Sequence, residues 1–196
     1  MRHCDRIISF ALIVIGIVIL VGHTVFGLRV VHRNKIWIIG TYSFVVQTQS
    51  ALDFLSECSP DTFAEIPRYI HLVVEFSKSG ISPRYKVFSA SKKTAFAPGR
   101  SQPVQLFWYA GAIVHDARHG WQYHNGLNIK SWDEKTVAER EIFEKDAIST
   151  TIPVLQQCTR YVPQFAQHEI ADMLEQMIAK QNTCDYCNIS WMDRNW

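Results

Sequence analysis

The chain has 196 residues, and 20 Lys and Arg against 18 Asp and Glu give a net charge of +2. The basic residues are scattered apart from Lys92 and Lys93 and a group at Arg29, Arg33 and Lys35. So small and dispersed an excess excludes a nucleic-acid-binding footprint.

A short flank, residues 1–6, carries Arg2 and Arg6 and precedes an uncharged run from Ile7 to Gly22. His23 and Thr24 interrupt the run only mildly, and Val25 to Leu28 extend it to the ~20 residues that span a bilayer. No small-residue cleavage site follows, so residues 7–28 are predicted to be a transmembrane signal anchor. Two signals disagree on the side. Arg29, Arg33 and Lys35 would hold the main domain in the cytoplasm by positive-inside counting. Cys58, Cys158, Cys184 and Cys187 form an even set behind a signal-like segment, compatible with two disulfides of open pairing. The expectation is a single-pass membrane protein whose main domain, residues 36–196, is extracytoplasmic. About 160 residues suit one domain with a proper core.

After a connector over residues 29–40 with an apolar end, Ile36 to Ile39, the apolar positions Phe44, Val45, Leu52 and Leu55 predict a helix over residues 43–57. Ser59, Pro60 and Asp61 end it, and Asp61 resembles an N-cap for a turn through Phe63 and Ile66. Ile70 to Phe76 is apolar and β-branched, a predicted strand. Residues 77–83 carry turn chemistry. Residues 85–89 alternate weakly, and Thr94 to Phe96 reads as a short edge strand ended by Ala97, Pro98 and Gly99. Three helices follow: Gln105 to Tyr123, Lys135 to Gln157 with Pro153 a possible kink, and Pro163 to Gln181. A small β region ahead of a helical half predicts an α+β fold.

The chemistry lies in the first of those helices. His115 and His119 are four residues apart, hence on one helical face and within reach of one ion. The helix is apolar ahead of them, through Phe107, Trp108, Ala110, Ala112, Ile113 and Val114, so the imidazoles need partners inside the protein. A metal satisfies both; hydrogen bonds to core carbonyls or carboxylates are the alternative. Glu139 on the next helix shares a face with Ile142, Phe143, Asp146 and Ala147, whereas Glu141 groups with Glu144, Lys145 and Ile148 on a wetter face. A carboxylate on an apolar stripe needs a cation, so Glu139 is the predicted third ligand. Its other readings are a solvated neighbour of Arg140 or a buried pair with Arg118. Tyr109, Tyr123 and His124 are nearby polar candidates, with packing or surface roles the plainer reading. Cys184 and Cys187 suit a short-loop disulfide better than a redox motif.

The stretch from His115 through Asp116 to His119, with a downstream glutamate, resembles the gluzincin-type zinc metallopeptidases, in which His-Glu-x-x-His and a later Glu hold the metal. The resemblance covers roughly residues 89–157. It implies a zincin-like domain with one zinc ion, His115, His119 and Glu139 as ligands, water at an open position, and a polypeptide substrate laid on an edge strand matching Lys93 to Phe96. It also puts Asp116 in the place of the general base, where the family has glutamate. Aspartate is one methylene shorter, which leaves three readings: a slow hydrolase, a hydrolase whose helix sits closer to its substrate, or a metal-binding scaffold that has lost the reaction.

Overall fold

A computed structural model describes residues 27–127, 129–181 and 187. Most of the predicted anchor therefore lies outside the described residues, and its last residue, Leu28, begins a strand. No helix among the described residues is long and apolar enough to cross a membrane.

The segment read as a connector is a hairpin. β1 (Leu28–Arg33) and β2 (Ile36–Thr41) pair antiparallel from Leu28 opposite Thr41 to Arg33 opposite Ile36. Asn34 and Lys35, with φ of 53° and 66°, make the two-residue turn whose left-handed backbone matches strand twist. Strand alternation then buries Ile36 and Ile38 and leaves Trp37 half exposed. β2 leads into α1 (Tyr42–Cys58) and α2 (Pro60–Tyr69), which return the chain to β3 (Leu72–Glu75) alongside and parallel to β2. Ser59, not Asp61, is the N-cap of α2.

β4 (Gly80–Ser82) and β5 (Val87–Ala90) complete a five-stranded sheet of order β1-β2-β3-β5-β4, with β5 parallel to β3 and β4 antiparallel at the edge. Thr94 to Phe96 is not an edge strand. It belongs to α3 (Lys92–Phe96), because the Ser91 hydroxyl caps the Thr94 N–H and starts a helical turn. The edge falls instead at β4, inside the stretch read as a turn. Three residues are too few for a strand pattern to show, and pairing with β5 makes the strand.

The helical half is α4 (Gln102–His124), α5 (Val137–Cys158) and α6 (Gln167–Gln181), and the fold is α+β as expected. One core cluster lies between the sheet and the helices α1 and α4, around Phe44, Leu52, Phe88, Tyr109 and Ile113. A second, around Phe107, Leu155, Ile170 and Leu174, joins α4, α5 and α6. The disulfide Cys58–Cys158 ties the end of α1 to the end of α5. Cys187 is also disulfide-bonded, whereas Cys184 lies outside the described residues. Gly120 lets α4 approach α2, since a Cβ there would meet the Tyr69 Cβ at 2.8 Å and its carbonyl oxygen at 3.3 Å. That contact fixes the helix one residue past His119.

Candidate metal centre

Both predicted histidines sit in mid-helix on α4, where regular hydrogen bonding stacks them one turn apart. Facing them is the buried stripe of α5: Arg140, Glu144, Ala147, Ile148, Thr151, Ile152, Leu155 and Cys158. This spacing of three and four residues carries Glu144 to the histidines. His115 Nε2 lies 3.2 Å from Glu144 Oε2 and 3.1 Å from His119 Nε2, and His119 Nε2 lies 3.5 Å from Glu144 Oε1. His115, His119 and Glu144 are thus close enough to hold a metal ion.

The spacing bears on which kind of ion fits. Tetrahedral geometry with bonds of about 2.0–2.1 Å sets ligand atoms about 3.3–3.4 Å apart. The imidazole nitrogens are 3.1 Å apart and lie 3.2 and 3.5 Å from the two different oxygens of Glu144, separations of that order. Two imidazoles and a carboxylate are also the donor types that zinc takes at sites with an open fourth position. The three side chains are of the right type and close enough together to hold a metal ion.

Glu139 is elsewhere. Its carboxylate accepts from Lys130 Nζ at 2.7 Å and from the Thr136 backbone N–H at 2.8 Å, while the Thr136 hydroxyl accepts the Glu139 N–H. This is a capping box at the start of α5. The Lys130 ammonium and the Thr136 N–H hold the Glu139 carboxyl down to about 2. The buried face of α5 is also rotated from expectation: Ala147 is buried as read, but Ile142 is 64% exposed, and Glu144 and Ile148 are buried. Charges at Arg140, Glu144 and Lys145 masked the stripe in its first turns. Two signals in the sequence were available. Thr136-Val-Ala-Glu139 has the capping-box spacing, and the apolar series from Leu155 back through Thr151, Ile148 and Ala147 extrapolates to Glu144 and Arg140.

Burial opposes charge on Glu144, but the neighbouring His119 and His115 hold its carboxyl well below the usual range. For His119, burial works against the imidazolium, yet the Glu144 carboxylate outweighs it and raises the group above its ordinary value of 6.5. The signs fix a pH profile for the metal-free protein. The lowered Glu144 contributes stability above the unfolded carboxylate value, about 4.3, and loses it as pH falls through its folded value. The raised His119 contributes below about 6.5 and loses that contribution as pH rises through its folded value. The melting temperature of chelator-treated protein should therefore fall as pH climbs past neutrality. Metal affinity should rise over the same range, because the ligands must shed their protons. Calorimetric scans with and without zinc across that range check both slopes, and parallel slopes would contradict the pairing.

The three groups open onto a cavity of about 860 Å³ that Asp116 also lines. Its walls come from β4, through Gly80, Ile81 and Ser82, and from the segment before α5, through Ile129 to Lys135. Trp108, Ile148 and Leu155 form an apolar part. Of the other polar candidates, Tyr123 lines the cavity. Tyr109 is fully buried and pairs with Thr48 Oγ1 at 3.0 Å; burial pushes its hydroxyl above the ordinary phenol range, as suits a core residue. His124 is exposed at the end of α4, where Asn125 caps the helix and Gly126 turns the chain with φ of 74°. Comparison of the chain with protein-family models, curated proteins and solved structures finds no match.

Proposed function

We propose that the chain is a membrane-anchored, zinc-dependent hydrolase-like protein of gluzincin type, with His115, His119 and Glu144 holding one zinc ion. The observation that carries this reading is the convergence of two imidazoles and a carboxylate, close enough to hold a metal ion, on the wall of a cavity of about 860 Å³. Bound zinc would acidify water and polarise a carbonyl. Asp116 follows the first ligand and lines the same cavity, the place for a group that takes a proton from water. Polypeptide is the substrate this reading favours. β4 is the edge strand that borders the cavity, so an extended chain would add to β4 rather than to residues 93–96.

The anchor predicted over residues 7–28 belongs to this proposal, cut short before Leu28, which is in β1. The Cys58–Cys158 disulfide supports an oxidising, extracytoplasmic setting for the folded part.

Elemental analysis of protein purified without chelators tests the reading. One zinc per chain is expected, lost in His115→Ala and His119→Ala; a metal-free native protein overturns it. The short side chain of Asp116 favours a second reading, a zinc-binding scaffold without turnover. A carboxylate ~1 Å too far from its proton can cost on the order of a hundredfold in rate. Asp116→Glu distinguishes the two: peptidase activity that appears or rises sharply at unchanged zinc content identifies a degenerate enzyme. Equal activity in both proteins identifies a working aspartate site.

A further inference from the structure

Gln122 lies one turn beyond His119 on α4, is 1% exposed, and belongs to no ligand set described above. Its amide is oriented by two acceptors on α5. Nε2 donates to the Phe143 carbonyl at 2.9 Å and to Asp146 Oδ2 at 2.7 Å. Both amide hydrogens are thereby directed at α5, which leaves Oε1 as the atom that faces His119. That oxygen stands 2.9 Å from His119 Nδ1. An amide oxygen only accepts, so Nδ1 carries the hydrogen. In a neutral imidazole the other nitrogen, Nε2, is then bare. Nε2 is the atom that points at His115 and Glu144.

Asp146, which anchors the amide, is itself held in place. Arg118 donates to it through Nε at 2.7 Å and Nη2 at 2.9 Å, and the guanidinium stacks 3.7 Å over the Trp121 ring. This fork-to-carboxylate pairing has fixed geometry. The order of hydrogen bonds runs from Arg118 to Asp146, from Gln122 to Asp146, and from His119 to Gln122. Each hydrogen has one direction available.

We infer that Gln122 is a positioning residue that selects the His119 tautomer with Nε2 free to bind a metal, and that Asp146 and Arg118 lock the amide in the orientation this requires. The inference concerns the metal site proposed above but is readable without metal. A clip that only joined α4 to α5 would have no need of the oxygen aimed at Nδ1.

The test uses the whole chain with zinc alone as the probe. Gln122→Leu keeps the approximate volume and removes the acceptor. Its zinc affinity should fall ten- to hundredfold, the usual cost of losing a partner behind a metal-bound histidine. Gln122→Glu keeps an acceptor for Nδ1 but sets a carboxylate oxygen against the Phe143 carbonyl and Asp146, so it should melt lower than the native protein yet hold zinc more tightly than Gln122→Leu. If the residue is only a helix clip, both variants lower the melting temperature and neither changes zinc affinity, which overturns the inference. Imidazole nitrogen NMR of the unaltered, metal-free protein at alkaline pH gives a second measurement that no folding defect can spoil. A hydrogen on His119 Nδ1 is expected, and one on Nε2 overturns the inference. Absence of zinc from the native protein would sink the proposed function while leaving this tautomer result standing or falling by itself.

Discussion

Glu144→Gln should strip the zinc from this protein, and Glu139→Ala should leave it bound. Both residues are glutamates on α5, five positions apart, so the pair separates two ligand sets that composition cannot tell apart. Glu144 is buried with its oxygens 3.2 and 3.5 Å from the two histidines. Replacing it with the amide keeps shape and hydrogen-bonding reach but removes the negative charge that a divalent ion needs. Zinc affinity should drop by more than the ten- to hundredfold that loss of an outer partner costs, because here a ligand itself is altered. Glu139 sits at the surface in its capping box with Thr136 and its pair with Lys130. Its removal should lower the melting temperature slightly through the lost cap and leave one zinc per chain. Zinc retained in Glu144→Gln and lost in Glu139→Ala would restore the ligand set read from the sequence.

The second large effect concerns stability. Cys58 and Cys158 are both fully buried, and their bond closes a loop with a sequence separation of 100 residues. In the chain-entropy account, a loop of that length restrains the unfolded chain by about 4–5 kcal/mol at room temperature. Whole domains are stable by only about 5–15 kcal/mol, so the double replacement Cys58→Ala, Cys158→Ala should remove a large share of it. Urea unfolding of the oxidised native protein and of the double variant measures the difference. A loss below about 1 kcal/mol would mean that packing alone joins the two core clusters. The bond does more than shorten a loop, because α1 belongs to the sheet-side cluster and α5 carries Glu144. Loosening that tie should let α5 shift against α4, and zinc affinity should fall along with stability.

Much of the fold was legible because its signals are local. Phe44, Val45, Leu52 and Leu55 mark α1 by helical period, and the β-branched run at Leu72 to Glu75 marks β3. Asn125 and Gly126 end α4 where turn chemistry says they should. The misses have non-local causes. β1 and β4 are strands because of what they pair with: Leu28 to Arg33 needs β2, and Gly80 to Ser82 needs β5. Thr94 to Phe96 went the other way because one hydroxyl, that of Ser91, nucleates a helical turn.

The amino-acid sequence by itself determined the histidine pair. Spacing of four residues on an uninterrupted helix leaves His115 and His119 no choice but to share a face. It determined as well that a glutamate-bearing helix follows, that the class is α+β, and that Asp116 stands where a longer carboxylate is familiar. Only the tertiary structure decided which glutamate meets the histidines. The rotation of α5 about its axis is set by the core it shares with α4 and α6, and burying Ala147, Thr151, Leu155 and Cys158 turns Glu144 inward and Glu139 out. The same docking brings Phe143 and Asp146 to Gln122, and through it a hydrogen-bond acceptor to His119. Side-chain period along one helix is a local property, but the direction in which a face points depends on its neighbours. That is why the histidine helix could be read from the chain and the glutamate that meets it had to be seen packed.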